Sequence, residues 1–357
     1  MHDMRERENL AFLKNTTVFQ AEALAKATDF ARAGAQLIPQ EGIRARIEAR
    51  VIPAIESLKT PSQESLDTMR WLEGIETDGV VKEDGAEKLW KIWEGNAPEK
   101  DVAESESMKK HSFVDKLVPR VTSKLTNRYL RLIVNDNDAL RFLLKLSADA
   151  ESNGEGLVFE RVRDFVPDEY KEKVDRHASD EIRHEQIFSD AYKSINSNID
   201  EEIPQDLRLI DRVSTATGNI LSREVHSISD VGVAYLFLLA IERRAYEQIG
   251  LIEEALQAKY PDIANIVTTI REDEFGHIKF CKKISQIAIP NDDIRQVLED
   301  EIAKSEAEAF REQKHAFVAY AERFLATMSF PEKLFWRMML KVDDLIGKPE
   351  QMVLKTP

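Results

Sequence analysis

The sequence predicts an all-α protein, and three observations carry that reading. Turn formers are scarce, with 13 Gly and 12 Pro in 357 residues, which suits long helices joined by few loops. No stretch shows the apolar–polar alternation of a half-buried strand. One short word, Asp-Glu-x-x-His, occurs twice in stretches of helical character: Asp180-Glu181-Ile182-Arg183-His184 and Asp273-Glu274-Phe275-Gly276-His277. Residues three apart share a helix face, so Glu181 with His184, and Glu274 with His277, can each grip one metal ion.

Taken in order, residues 21–35 and 42–58 read as amphipathic helices, the second kinked at Pro53. Thr60-Pro61-Ser62 starts a third, with Pro near its first turn. Residues 84–93 form a fourth, closed by Gly95 and Pro98, and residues 98–110 are charged enough to read as a linker. Trp71, Trp90 and Trp93 fall in this part and read as helix-packing residues rather than a ligand-binding cluster. Asn135 to Asp138 offer N-caps for a helix over 138–164. A turn at 165–168 leads to a helix ending near 195, and residues 196–206 form a polar crossover. A helix over 227–258 follows, and Tyr260-Pro261-Asp262 starts another that reaches 288 before Pro290. A long helix over 292–326 and a last one from Pro331 to about 346 complete the chain. The division expected is an N-terminal helical region over 1–117, a four-helix core over 118–290 and C-terminal helices over 291–357 packed on it.

The repeated word is specific. Chance supplies roughly one Glu-x-x-His in a chain of this composition, for which Glu312-x-x-His315 is the candidate, and requiring Asp ahead of it lowers the expectation to about 0.06. A two-metal site needs about four carboxylates, and a helical bundle supplies them as one Glu from each of two helices plus Glu-x-x-His from each of the other two. In an antiparallel hairpin, residues equally far from the turn sit level. Fifteen residues either side of Val166 stand Glu151 and Glu181, and sixteen either side of Ala258 stand Glu242 and Glu274. Six ligands follow: Glu151, Glu181, His184, Glu242, Glu274 and His277. The run Leu236-Phe237-Leu238-Leu239-Ala240-Ile241 ahead of Glu242 is wholly apolar, which makes an acid there conspicuous. Glu155, one turn from Glu151, is its main rival, and Glu160 a weaker one.

These two hairpins, each a Glu followed some thirty residues later by Glu-x-x-His, resemble the ferritin-like diiron carboxylate superfamily. The resemblance covers residues 138–288. It implies a ferritin-like four-helix bundle holding two iron ions, with manganese or a mixed Mn/Fe pair as alternatives, and O2 as co-substrate. Asp-Glu-x-Arg-His is similar to the bacterial multicomponent monooxygenases and related diiron oxygenases. That similarity implies that Asp180 orients His277, that Asp273 orients His184, and that Arg183 fixes a buried Asp. Gly276 stands where the second copy would carry its Arg, so this support is expected to be one-sided.

Other residues have two readings. His177, one turn before Glu181, is either an extra ligand or a solvated or outlying His. The p-aminobenzoate N-oxygenase-like enzymes carry their extra His on the second hairpin, where this chain has Ile270. Tyr246, one turn after Glu242, is either a pocket residue or a core Tyr. Gly154 and Gly156 either clear space beside the site or allow close helix packing. Cys281 reads as a small buried hydrophobe. Phe188 stands where ribonucleotide reductase small subunits carry a radical Tyr, which counts against a stored radical of that kind.

Composition bounds the rest. A formal charge of −15 argues against nucleic acid or an anionic membrane as main partner. A single cysteine excludes an intrachain disulfide and fits a reducing cytoplasm. No signal-peptide pattern or bilayer-length apolar run is apparent. The expectation is a cytoplasmic homodimer acting on a small organic molecule, an O2-activating oxygenase or oxidase that draws on an electron donor. The alternative is a ferroxidase, storage-type or manganese protein without organic substrate.

Overall fold

The computed structural model describes residue 32 and residues 63–93, 126–153, 156–197, 202–220, 223–325 and 328–346. The chain divides into two compact units, Met1–Trp71 and Leu72–Pro357. The regular structure among the described residues is helical, with no strand. The helices expected over 21–35 and 42–58 and the linker at 98–110 lie outside the described residues, residue 32 apart.

Helix α1 (Gln63–Thr77) begins in the first unit; the elements after it belong to the second. Helix α2 (Glu83–Trp93) follows, with Trp90 buried and its indole N–H donating to Glu76 Oε2 at 2.9 Å, a packing role. A helical stretch over 126–135 leads into α3 (Asn137–Asn153). Where one helix was expected over 138–164, the structure describes α3 and α4 (Gly156–Val162). Residues 154 and 155 between them, and with them Gly154 and Glu155, lie outside the described residues. Pro167 precedes α5 (Asp168–Ser194), whose first turn carries Asp168 and Glu169 against the positive helix end.

A 3₁₀ turn, Gln205–Leu207, closes the polar crossover, and helix α6 (Leu209–Ala216) follows it in a stretch to which the sequence assigned no element. Helix α7 (Ile228–Leu256) is capped by Ser227, whose Oγ accepts from Asp230 N while Asp230 Oδ2 accepts from Ser227 Oγ and His226 N. Pro261 opens α8 (Pro261–Ala288), where its missing N–H costs nothing. Asn291 caps α9 (Asp292–Ala321), and α10 (Phe330–Ile346) ends the described chain.

Two antiparallel hairpins follow from these lengths. Arg141 near the start of α3 donates to the carbonyls of Tyr192 and Ile195 at the end of α5. Glu253 and Arg271 pair across the α7–α8 turn at 3.3 Å, and at the far end a Cβ on Gly232 would fall 2.5 Å from Ile289 Cγ1. Glycine is therefore what lets the two helices close there. Residues 231–239 of α7 are all buried, so this stretch is apolar all round, as a helix segment enclosed by neighbours must be. Helix α9 covers α7, joined by a buried bidentate pair: Arg244 Nε and a terminal nitrogen donate to Glu306 at 2.8 and 3.0 Å. No described helix is long and apolar enough to cross a membrane.

Candidate metal centre

Helices α3, α5, α7 and α8 bring seven side chains to one interior place. Two groups form, each with one ligand atom per residue and all such atoms within 4.8 Å of one another: His177, Glu181, Glu242 and His277, and Glu151, Glu181, His184 and Glu274. Glu181 belongs to both. Its Oε1 lies 3.2 Å from His277 Nδ1 and 3.4 Å from His177 Nε2, and its Oε2 lies 3.8 Å from His184 Nδ1. Glu274 belongs to the second group alone but reaches toward the first, with Oε1 3.4 Å from His184 Nδ1 and Oε2 3.6 Å from His277 Nδ1. Glu151 stands at the outer end, 3.9 Å from His184 Nδ1, and Glu242 at the inner end, 3.6 Å from His277 Nδ1.

These separations suit ions. Two ligands each about 2.1 Å from a common cation stand roughly 3.0–3.5 Å apart, longer than a good hydrogen bond. Buried polar atoms normally find partners, and leaving one without costs about 1–3 kcal/mol. Here Glu181 Oε1, Glu274 Oε2, His184 Nδ1 and His277 Nδ1 are all buried without a hydrogen-bond partner, and all face the two groups. A donor set of carboxylate oxygen and imidazole nitrogen fits Fe(II), Mn(II) and similar ions.

The outward nitrogens are held. His277 Nε2 lies 3.4 Å from Asp180 Oδ2, and His184 Nε2 lies 3.4 Å from Asp273 Oδ2. Each Asp thus meets the His of the other hairpin, which puts the ring proton outward and leaves Nδ1 with its lone pair inward. One Arg183 nitrogen donates to both, at 2.7 Å to Asp180 Oδ1 and 2.7 Å to Asp273 Oδ2. The one-sided support expected from Gly276 is therefore corrected: a single guanidinium serves both copies. Asp273 stays below the usual carboxylate range because the Arg183 and His184 contacts outweigh its partial burial.

Crowding sets the protonation. Burial, and then the charge of Glu181, pushes Glu151 well above the ordinary carboxyl range; burial and the charge of Glu242 do the same to Glu274. Burial also pushes on Glu242 and Glu181, but close polar neighbours overcome it. Glu274 and His177 hold Glu242 well below its usual range, and the nearby His177 and His277 rings draw Glu181 down to about 2. Burial lowers His184, whereas the carboxylates around His277 and His177 raise both despite it. Glu151 and Glu274 are thus the two acids that retain protons, which a bound cation would displace.

His177, which sequence left between two readings, is 2% exposed. Its Nε2 lies 2.7 Å from Glu242 Oε1, and its ring stacks on His277 at 3.7 Å. Tyr246, expected near a pocket, lies under the Arg271 guanidinium at 4.7 Å and beside the partly exposed Phe275. Sequence reasoning missed Tyr235. It is fully buried, its hydroxyl lacks a partner, and burial with the neighbouring Cys281 and Glu242 raises its pKa. The available signal was spacing, since Tyr235 stands two helical turns before Glu242 on the same face. Phe280 packs against Tyr235 at 5.7 Å and faces His177 at 6.4 Å, so apolar rings wall the inner end. A groove between α9 and α10, lined by His315, Val318, Leu334 and Met338 among others, includes none of the site residues.

No protein-family model, curated protein or solved structure matches this chain.

Proposed function

We propose that the chain is an O2-activating, dinuclear non-haem metalloenzyme of the ferritin-like diiron type, an oxygenase or oxidase acting on a small organic substrate. One observation carries the reading: Glu181 and Glu274 each present one oxygen to either half of a buried centre, and each half also receives an inward imidazole nitrogen. Such a donor set would hold two metal ions, with Glu181 and Glu274 within reach of both, and it agrees with the resemblance carried by the repeated Asp-Glu-x-x-His word.

Two reduced metal ions bound there would supply the electrons and the Lewis acidity that activate dioxygen. The chain's own residues do the rest. Asp180, Asp273 and Arg183 fix the histidine rings. Phe159, Phe280 and the apolar face of α7 exclude water from the inner half. Glu151, whose side chain is 12% exposed, marks the half nearest solvent. Hydroxylation, N-oxygenation, desaturation and oxidative C–C cleavage are the reaction types such a centre serves.

The test is anaerobic titration of the metal-free chain with Fe(II), then rapid mixing with O2. Two irons per chain followed by a transient visible absorbance support the reading. Two irons followed by release of oxidised iron point to a ferroxidase. No stoichiometric binding of Fe(II) or Mn(II) removes the proposal.

A further inference from the structure

The two halves of the centre are not copies. The inner group offers two imidazoles, His177 and His277, with Glu181 and Glu242; the outer offers one, His184, with Glu151, Glu181 and Glu274. His177 is the added imidazole, and it stands where the outer group has a third carboxylate. It stands four residues before Glu181, and the matching place before Glu274 holds Ile270, which is fully buried. Packing alone gives no reason for a histidine here. The ring lies between Phe159 at 4.5 Å and His277 at 3.7 Å. Its Nδ1 has no partner, while Nε2 points among the inner carboxylates, 2.7 Å from Glu242 Oε1 and 3.4 Å from Glu181 Oε1. A hydrocarbon would fill such a slot without leaving a polar atom unsatisfied.

Resting on the dinuclear reading above, we infer that His177 is a ligand of the inner metal position and makes the pair inequivalent, with a tight inner position that selects Fe(II) over Mn(II) and a weaker outer position that accepts either. Nitrogen donors widen the affinity gap between Mn(II) and Fe(II), while a carboxylate-rich set suits manganese well. Access points the same way. All four inner residues are buried, whereas Glu151 at the outer end reaches solvent. The inner ion therefore exchanges slowly and the outer one quickly. When both metals are present, the state favoured is one iron inside and one exchangeable manganese outside.

The experiment gives the metal-free chain one equivalent each of Fe(II) and Mn(II) without oxygen, removes unbound metal, and measures both elements along with the manganese electron paramagnetic resonance signal. The expected result is one iron and one manganese per chain, with single-metal titrations resolving two steps at least tenfold apart. His177→Leu should bring the steps together and lose the iron preference. Loss of a ligand should weaken the inner step by at least the 10–100-fold that loss of a ligand's hydrogen-bond partner costs. Glu151→Gln should keep one ion, and that ion should be iron; this arm stands even if His177→Leu fails to fold, which circular dichroism melting of the metal-free variant would show. Two metals in equal mixture with a single step, unchanged by His177→Leu, would overturn the inference while leaving the dinuclear reading standing. An Glu151→Gln chain that retains its ion without preferring iron also overturns the inference alone. A wild-type chain that binds neither metal overturns both.

Discussion

The two hairpins carry the same ligand word in different surroundings. In α7–α8, Glu242 lies behind an unbroken apolar run, Gly232 lets the helices close, and the Arg244–Glu306 pair fastens α7 to α9. In α3–α5, Glu151 stands two residues from the end of α3 and keeps contact with solvent. Burial pushes Glu151 up, while close polar neighbours hold Glu242 down against the same push. The motif fixes which atoms meet. The neighbours fix how wet and how charged each half is.

Four substitutions test that contrast, in falling order of effect. Glu181→Ala removes the one acid common to both groups, so metal content should fall from two per chain to none by elemental analysis; retention of two ions would show that the halves are independent. Arg244→Ala leaves Glu306 of α9 buried and unpaired against the closed hairpin, and should cost about 3–5 kcal/mol in urea unfolding. The double change Arg244→Met with Glu306→Leu should recover most of that loss. Arg183→Leu frees both Asp180 and Asp273, and so should weaken both metal steps by about 10–100-fold. A loss confined to one step would mean that the shared guanidinium matters to one hairpin alone. Tyr235→Phe removes a buried hydroxyl without a partner and should leave the metal-free protein unchanged or about 1 kcal/mol more stable. A clear loss of stability would reveal a partner for that hydroxyl.

Much of the centre could be read from spacing, because a helix converts sequence distance into position. Counting outward from two turns paired Glu151 with Glu181 and Glu242 with Glu274, and the structure places these four acids together. What spacing does not convey is the wall opposite. His177 shares a face with Glu181, but its burial comes from Phe159 and Phe280 on other helices. Tyr235 and Tyr246 both share a face with Glu242, and only the packing of α8 shows which end is enclosed: Arg271 lies over Tyr246 near the hairpin turn, while Phe280 packs on Tyr235. Helix α6 has eight residues, about two turns, too few for a periodicity to stand out. The double duty of Arg183 was hidden for another reason, since Asp273 lies ninety positions away in sequence.

Arg183 has a mechanical consequence as well. Its guanidinium, fastened to one carboxylate on its own helix and one on α8, acts as a locating pin between the hairpins. A slip of α5 past α8 by one helical turn, about 5.4 Å, would break the contact to Asp273 and carry both histidines off their aspartates at once. Correct docking of the halves and correct aim of the rings are therefore a single event, so a mis-registered assembly has no ready-made centre in which to trap metal.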